Sequence, residues 1–268
     1  MVAPSPVIKK TAKTALSAHW FQSIAVSVVL IFTLLIGVLT ASLISVVADT
    51  VGYFIFLALF LLFIAAPLSL GVLYWFRRIL WGQSDSLLLI FKYFADKKEY
   101  KRALQLILLL TVKTVSASLV MFFPCIVVFM LSSEQFYALF DLPLPVWTSS
   151  LWTLNSFLAI VGLVGVILVA LKYYLSLYLF VSNDDIHPSE AINMSTIISK
   201  RSGADFFGLV FSFAGWILLS MLIAPLIFTL PYFVESYVVH CRYAVTAYNR
   251  DVDRFNTRNT PYYSVDEA

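Results

Sequence analysis

FQSIAVSVVLIFTLLIGVLTASLISVV (residues 21–47) and VGYFIFLALFLLFIAAPLSLGVLYWF (residues 51–76) decide the fold, and only Ala48, Asp49 and Thr50 separate them. Neither run contains an Asp, Glu, Lys or Arg. Each exceeds the roughly 20 apolar residues that a helix needs to cross a hydrocarbon layer. Four further apolar runs follow, at residues 103–131, 152–181, 206–223 and 226–248, the last two divided at Ala224-Pro225, where proline disfavours a helical predecessor. The sequence therefore predicts an all-α, polytopic transmembrane helix bundle of about six spans. Whole-chain composition agrees: 61% hydrophobic residues, 12% charged residues and a mean hydropathy of +0.90 describe more apolar surface than one soluble core conceals. The reading is a single transmembrane domain over residues 1–249 and a cytoplasmic tail over 250–268, expected to be disordered.

Lys9, Lys10 and Lys13 precede the first run, and Val46-Val47-Ala48 loosely resembles a cleavage site, but the run is much longer than the roughly 7–15 residues of a signal h-region. It reads as a retained helix. The cations set the orientation. Under six spans, all eighteen Lys and Arg residues fall at the N-terminus, in residues 77–113, in residues 172–205 or at the C-terminal end. The opposite loops, 48–50, 132–151 and 224–225, hold none and carry Asp49, Glu134 and Asp141. The positive-inside rule then predicts a multi-pass protein of a bacterial-type plasma membrane with both termini cytoplasmic.

Two short helices are expected on the cytoplasmic side. Asp85 is the candidate cap of one that runs to about Ala95, with Leu87, Ile90, Phe91 and Phe94 as a single apolar stripe. The other opens at His187-Pro188, has Glu190 in its first turn and Lys200 and Arg201 in its last, and is expected to stop at Gly203. The exterior loop contributes Phe136, Tyr137, Phe140, Trp147 and the Pro143-Leu144-Pro145 turn, which suit an interfacial position. The tail adds Tyr262-Tyr263. The excess of cations on the cytoplasmic face suits anionic lipid headgroups or an acidic partner from a membrane complex.

Chemistry is sparse. The sequence contains no Gly-x-Ser-x-Gly elbow, no phosphate-binding glycine-rich loop and no His-Glu-x-x-His, and His19, His187 and His240 are far apart in sequence. The expectation is a protein that is not an enzyme, uses no metal or other cofactor and binds no nucleic acid. Cys125 and Cys241 read as small buried hydrophobes. The candidate intramembrane polar site is Glu235, Arg242, Lys172 and Lys113. Glu235 and Arg242 lie two turns apart on one helix face, as a structural pair or a proton- or ligand-responsive site. Lys113 and Lys172 lie about ten residues inside their runs and read as boundary residues whose ammonium groups snorkel to phosphates. Gly208, Ser212 and Gly215 form a small-residue face, expected to pack on the sixth span.

Ser189-Glu190-Ala191-Ile192, Phe206-Phe207, Phe211-Ser212-Phe213-Ala214-Gly215-Trp216-Ile217-Leu218-Leu219 and Pro231-Tyr232, with Ala66-Pro67-Leu68-Ser69-Leu70-Gly71 upstream, together resemble the integral-membrane family catalogued as domain of unknown function 975, found mainly in Gram-positive bacteria. The family usually has glycine where this chain has Ala66, and a Pro-Gly pair where it has Gly162 and Gly165. The resemblance implies a multi-helix membrane protein and supplies no catalytic residues. Two functions stay open on the residues: a non-enzymatic scaffold or accessory subunit, and a small transporter or permease for a solute or lipid. A solvent-lined cavity joining Glu235, Arg242, Lys172 and Lys113 would separate them.

Overall fold

The computed structural model describes residues 3–83, 86–139, 148–220 and 223–259, and among these every regular element is helical. Asp85, Phe140, the Pro143-Leu144-Pro145 turn, Trp147 and Tyr262-Tyr263 lie outside the described residues. Three helical stretches, Trp20–Leu80, Lys97–Ser132 and Ser150–Ser182, are long and apolar enough to cross a membrane.

The first stretch is a hairpin. Helix α2 (Trp20–Phe60) breaks at Ala48 and Asp49, whose φ of 55° and ψ of −173° lie outside the helical region. A β-carbon added at Gly37 would sit 2.2 Å from the Phe60 ring. Along a straight helix those residues would be roughly 34 Å apart. The chain therefore folds back at the expected turn, and its two arms pack face to face.

The returning arm meets Pro67, which has no N–H to give to the Phe63 carbonyl one turn earlier. A π-helical turn at Leu61–Ala65 absorbs the mismatch before α3 (Ala66–Leu80), and the Tyr100 hydroxyl donates to the Phe63 carbonyl at 3.0 Å. Proline thus accounts for the kink although Ala66 replaces the family's usual glycine. Next come a 3₁₀ turn (Leu87–Phe91) and α4 (Lys92–Ala95). Ser86 caps the turn, accepting from the Leu88 N–H at 3.3 Å. The expected stripe is corrected: with about three residues per turn, Ile90 and Tyr93 share the buried face, while Leu87, Phe91 and Phe94 stay exposed.

A second hairpin joins α5 (Lys97–Ser132), capped by the Asp96 carboxylate on the Lys98 N–H, to α7 (Thr148–Tyr173), with α6 (Glu134–Leu139) after the first arm. Phe129 meets Trp152 edge-on at 6.0 Å, and the Cys125 thiol donates to Asn155 Oδ1 at 3.1 Å. Gly162 and Gly165 face Phe122 and Met121 so closely that added β-carbons would lie 3.0 and 2.9 Å from those side chains. After a break at Tyr174 and Leu175, α8 (Ser176–Ser182) continues the run.

The third pair is α9 (Pro188–Phe211), followed by α10 (Ala214–Leu219), against α11 (Ile223–Asn259). His187 caps α9, its Nδ1 accepting from the Ser189 N–H at 3.3 Å. Gly203 does not end this helix. A mid-helix glycine costs only about 1 kcal/mol, and Gly203 is buried beside Leu171 of α7, so the expected interfacial helix and the next apolar run are one element that breaks only after Phe211. Phe206 and Phe213 reach Tyr237 and Tyr232 of α11, at 5.8 and 5.2 Å between ring centroids. Helix α11 continues to Asn259 and its Asp251 pairs with Arg201, so the tail expected to be disordered from residue 250 begins as helix.

Burial is uneven. The arms near the turns expose apolar side chains, as at Val47 (90%) and Val120 (69%). The buried core lies toward the other end, around Leu68–Ile79, Tyr93, Leu106, Leu175–Val181, Ile192 and Val238. We call that end the base. Helix α1 (Ser5–Ser17) closes its side, burying Ile8, Ala12 and Leu16, and the Lys9 ammonium donates to the Ser212 carbonyl at 2.8 Å and lies 4.2 Å from the Phe213 ring centroid. Burial lowers the Lys9 pKa.

Candidate functional site

Basic side chains tie the base together. Arg77 donates to the Val181 carbonyl at 3.1 Å, and Arg102 binds Glu99 at 2.9 Å and the Ile186 carbonyl at 2.9 Å. Lys92 pairs with Asp184 at 2.6 Å and sits 4.0 Å from the Tyr74 ring centroid. Burial, reinforced by Asp184 and Glu99, pushes the Tyr93 hydroxyl well above its ordinary pKa. These cations, which the sequence offered for lipid or partner contacts, hold helix ends together.

The break between α7 and α8 frees carbonyls that water cannot satisfy inside a packed body. Ser195 and Ser199 donate to the Lys172 carbonyl at 3.2 and 3.0 Å, and Tyr237 donates to the Tyr174 carbonyl at 2.5 Å. The Tyr174 hydroxyl donates to Ser202 Oγ at 2.7 Å, and Ser202 donates onward to the Ile198 carbonyl at 3.1 Å. With the Tyr174 proton committed, the 3.0 Å contact from His240 Nε2 is assigned as a donation to the Tyr174 oxygen. This hydrogen-bond chain ends on a backbone carbonyl and fastens α9 and α11 to the break. Sequence reading missed this node: Ser202 and His240 lie 28 and 66 residues from Tyr174, and no local spacing announces them.

The four polar candidates do not form one site. Glu235 is fully buried, and neither carboxylate oxygen has a hydrogen-bond partner among the described residues. The expected pair with Arg242 does not form: the guanidinium is exposed and lies 4.5 Å from the Trp81 ring centroid. Two helical turns separate the two residues by roughly 10 Å, and Arg242 leans toward the end of α3. Lys113 and Lys172 share Tyr173 as a neighbour, with their ammonium groups 6.0 and 5.7 Å from its ring centroid. The small-residue face is corrected as well. Gly208, Ser212 and Gly215 are exposed, and β-carbons added at either glycine would meet nothing within 4 Å. The helix break at Ser212 and Phe213 divides their register, while Phe206, Leu209 and Phe213 pack toward α11.

The described residues hold no cluster of three His, Cys, Asp or Glu side chains placed to ligate a metal. The model of the family described as Protein of unknown function (DUF975) matches residues 1–246. The chain belongs to that family. No curated protein and no solved structure matches it. Two residues of the segment at 66–71 named from the sequence acquire physical roles here: Pro67 sets the kink that Tyr100 completes, and Gly71 lies directly beneath the Ile90 backbone.

Proposed function

We propose that the three hairpins are six membrane spans with both termini cytoplasmic, and that this DUF975 protein is a non-enzymatic scaffold or accessory subunit of a bacterial plasma membrane. The observation that carries the reading is where polar groups are spent. Cations and hydroxyls at the base satisfy helix ends, Glu235 is sealed, and the hollows of about 560 and 580 Å³ have neither Glu235 nor Arg242 in their walls. A transporter needs solvent to reach its ionisable groups, whereas a dry bundle suits a protein that holds others in place. The exposed lysines Lys97, Lys98 and Lys101 at the start of α5 offer a basic surface to an acidic partner.

In-cell crosslinking tests this. Photoreactive residues at Lys97 or Lys101 are expected to capture a membrane-complex partner, and one at Ala138 is not. Capture only from Ala138 overturns the docking face. Solute uptake into vesicles containing the purified chain overturns the scaffold.

A further inference from the structure

A groove of about 560 Å³ lies between α7 and α9, beside the point where the Ser195 and Ser199 hydroxyls hold the Lys172 carbonyl. That volume lies within the range of small-molecule sites, roughly 300–1,000 Å³. The groove is two-natured. Along most of its length the walls are hydrocarbon, with Ile167 and Leu168 from α7 facing Phe207 from α9, all three exposed. Gly203 and Ala204 form the α9 side between them, where larger residues would fill the space. At the end nearest the base stand Lys172 and Lys200, beside the Thr196 hydroxyl.

Those two lysines differ from the base cations that are held in ion pairs. Lys92, Arg102 and Arg201 each have a carboxylate partner; Lys172 and Lys200 have none among the described residues, and both are exposed. A water-soluble anion would leave the apolar walls uncovered, and a neutral hydrocarbon would leave two ammonium groups uncompensated. An amphiphile with an anionic head matches both parts. Lys172 also stands at the end of the apolar run of α7, where a boundary lysine extends along its stem to meet phosphate.

We infer that this groove binds one anionic phospholipid, with an acyl chain lying between α7 and α9 along Leu168 and Phe207 and the headgroup phosphate held by Lys172 and Lys200. The inference rests on the reading of α7 as a membrane span. It adds to the scaffold a lipid that glues α9 to the second hairpin from outside.

The test uses the full chain in nanodiscs of equal phosphatidylglycerol and phosphatidylcholine, with lipids retained on release counted by native mass spectrometry. Basic residues near a charged headgroup contribute about 1 kcal/mol each, so two lysines are expected to favour phosphatidylglycerol roughly thirtyfold. Lys172→Gln with Lys200→Gln is expected to abolish the preference, and Lys172→Arg with Lys200→Arg to keep it. Ala204→Trp, which fills the groove and leaves both charges, is expected to lose the lipid. Unchanged retention in the Gln pair or in Ala204→Trp overturns the site, as does displacement of the lipid by soluble glycerol phosphate. Carbonate extraction of the wild-type chain separates the two premises. Release from membranes overturns the membrane reading, whereas resistance without a phosphatidylglycerol preference overturns the groove alone.

Discussion

Replacing Gly71 by alanine reverses the usual sign of a helical substitution. In an unobstructed helix, Gly→Ala gains about 0.5–1 kcal/mol because glycine loses more backbone entropy on folding. At Gly71 the new β-carbon would stand 1.8 Å from the Ile90 carbonyl oxygen, where ordinary contacts begin near 3.4 Å. The 3₁₀ turn must therefore withdraw by about 1.6 Å, the difference between those two distances. The obstacle is backbone, so no rotamer change relieves it. Withdrawal uncovers Ile90 and Tyr93, now 2% and 1% exposed, and disturbs the Tyr93–Phe180 stack at 5.9 Å. Full burial of one such aliphatic side chain is worth about 1.5–3 kcal/mol, and overpacking typically costs about 1–3 kcal/mol. After subtracting the helix gain, the expected net loss is roughly 2 kcal/mol, or about 4–8 °C in melting temperature for a chain of this size. Thermal unfolding of the detergent-solubilised protein, followed by intrinsic fluorescence, reads this directly. Gly208→Ala is the control, since its β-carbon enters open space, and it is expected to match or exceed wild type. Equal melting temperatures for the two variants would refute the reasoning.

Gly37→Ala is expected to loosen the first hairpin through a side-chain clash with Phe60, and Phe60→Leu in the same chain should restore the melting temperature, as no side-chain change at Ile90 could do for Gly71→Ala. Glu235→Gln is expected to keep or raise stability, by at most about 1–3 kcal/mol, because it retains the shape and cannot ionise where no donor is present, while Glu235→Lys should fail to accumulate; a destabilised Gln variant in the same melting assay would mean the carboxyl group is used. A fluorescent cytoplasmic reporter is expected to be active after Ala268 and inactive when inserted between Asp141 and Leu142, and activity at both sites would remove the six-span topology.

The positions where the chain turns were legible because they depend on local chemistry. Ala48-Asp49 interrupts two charge-free runs, and His187-Pro188 combines a cap with a pre-set φ, so each acts where it stands. Gly203 misled for a physical reason: glycine ends a helix only when it takes up a left-handed conformation, and here it remains helical beside α7. The small residues at 208, 212 and 215 mark a face without saying what lies opposite it, and Phe213 rather than Gly215 faces α11. Helix α1 was hidden by its charges. Lys9, Lys10 and Lys13 read as topology signals, although Ile8, Ala12 and Leu16 repeat at helical spacing between them and are buried.

The fate of the polar candidates bears on function more than any one of them does. A conduction path would need Glu235, Arg242, Lys113 and Lys172 to share a wet interior. Instead Lys113 and Lys172 neighbour Tyr173 where α5 meets α7, Arg242 lies on Trp81 at the end of α3, and Glu235 is enclosed within α11 contacts without a donor. The elaborated hydrogen bonding lies elsewhere, in the break between α7 and α8, where five hydroxyl-bearing residues and His240 tie three helices together. The hairpins gain no hydrophobic drive toward one another in lipid, so their relative placement has to be fixed at the base. A base laced by cations and hydroxyls supplies that constraint, and it leaves the flanks of the arms available to lipid and to other membrane helices.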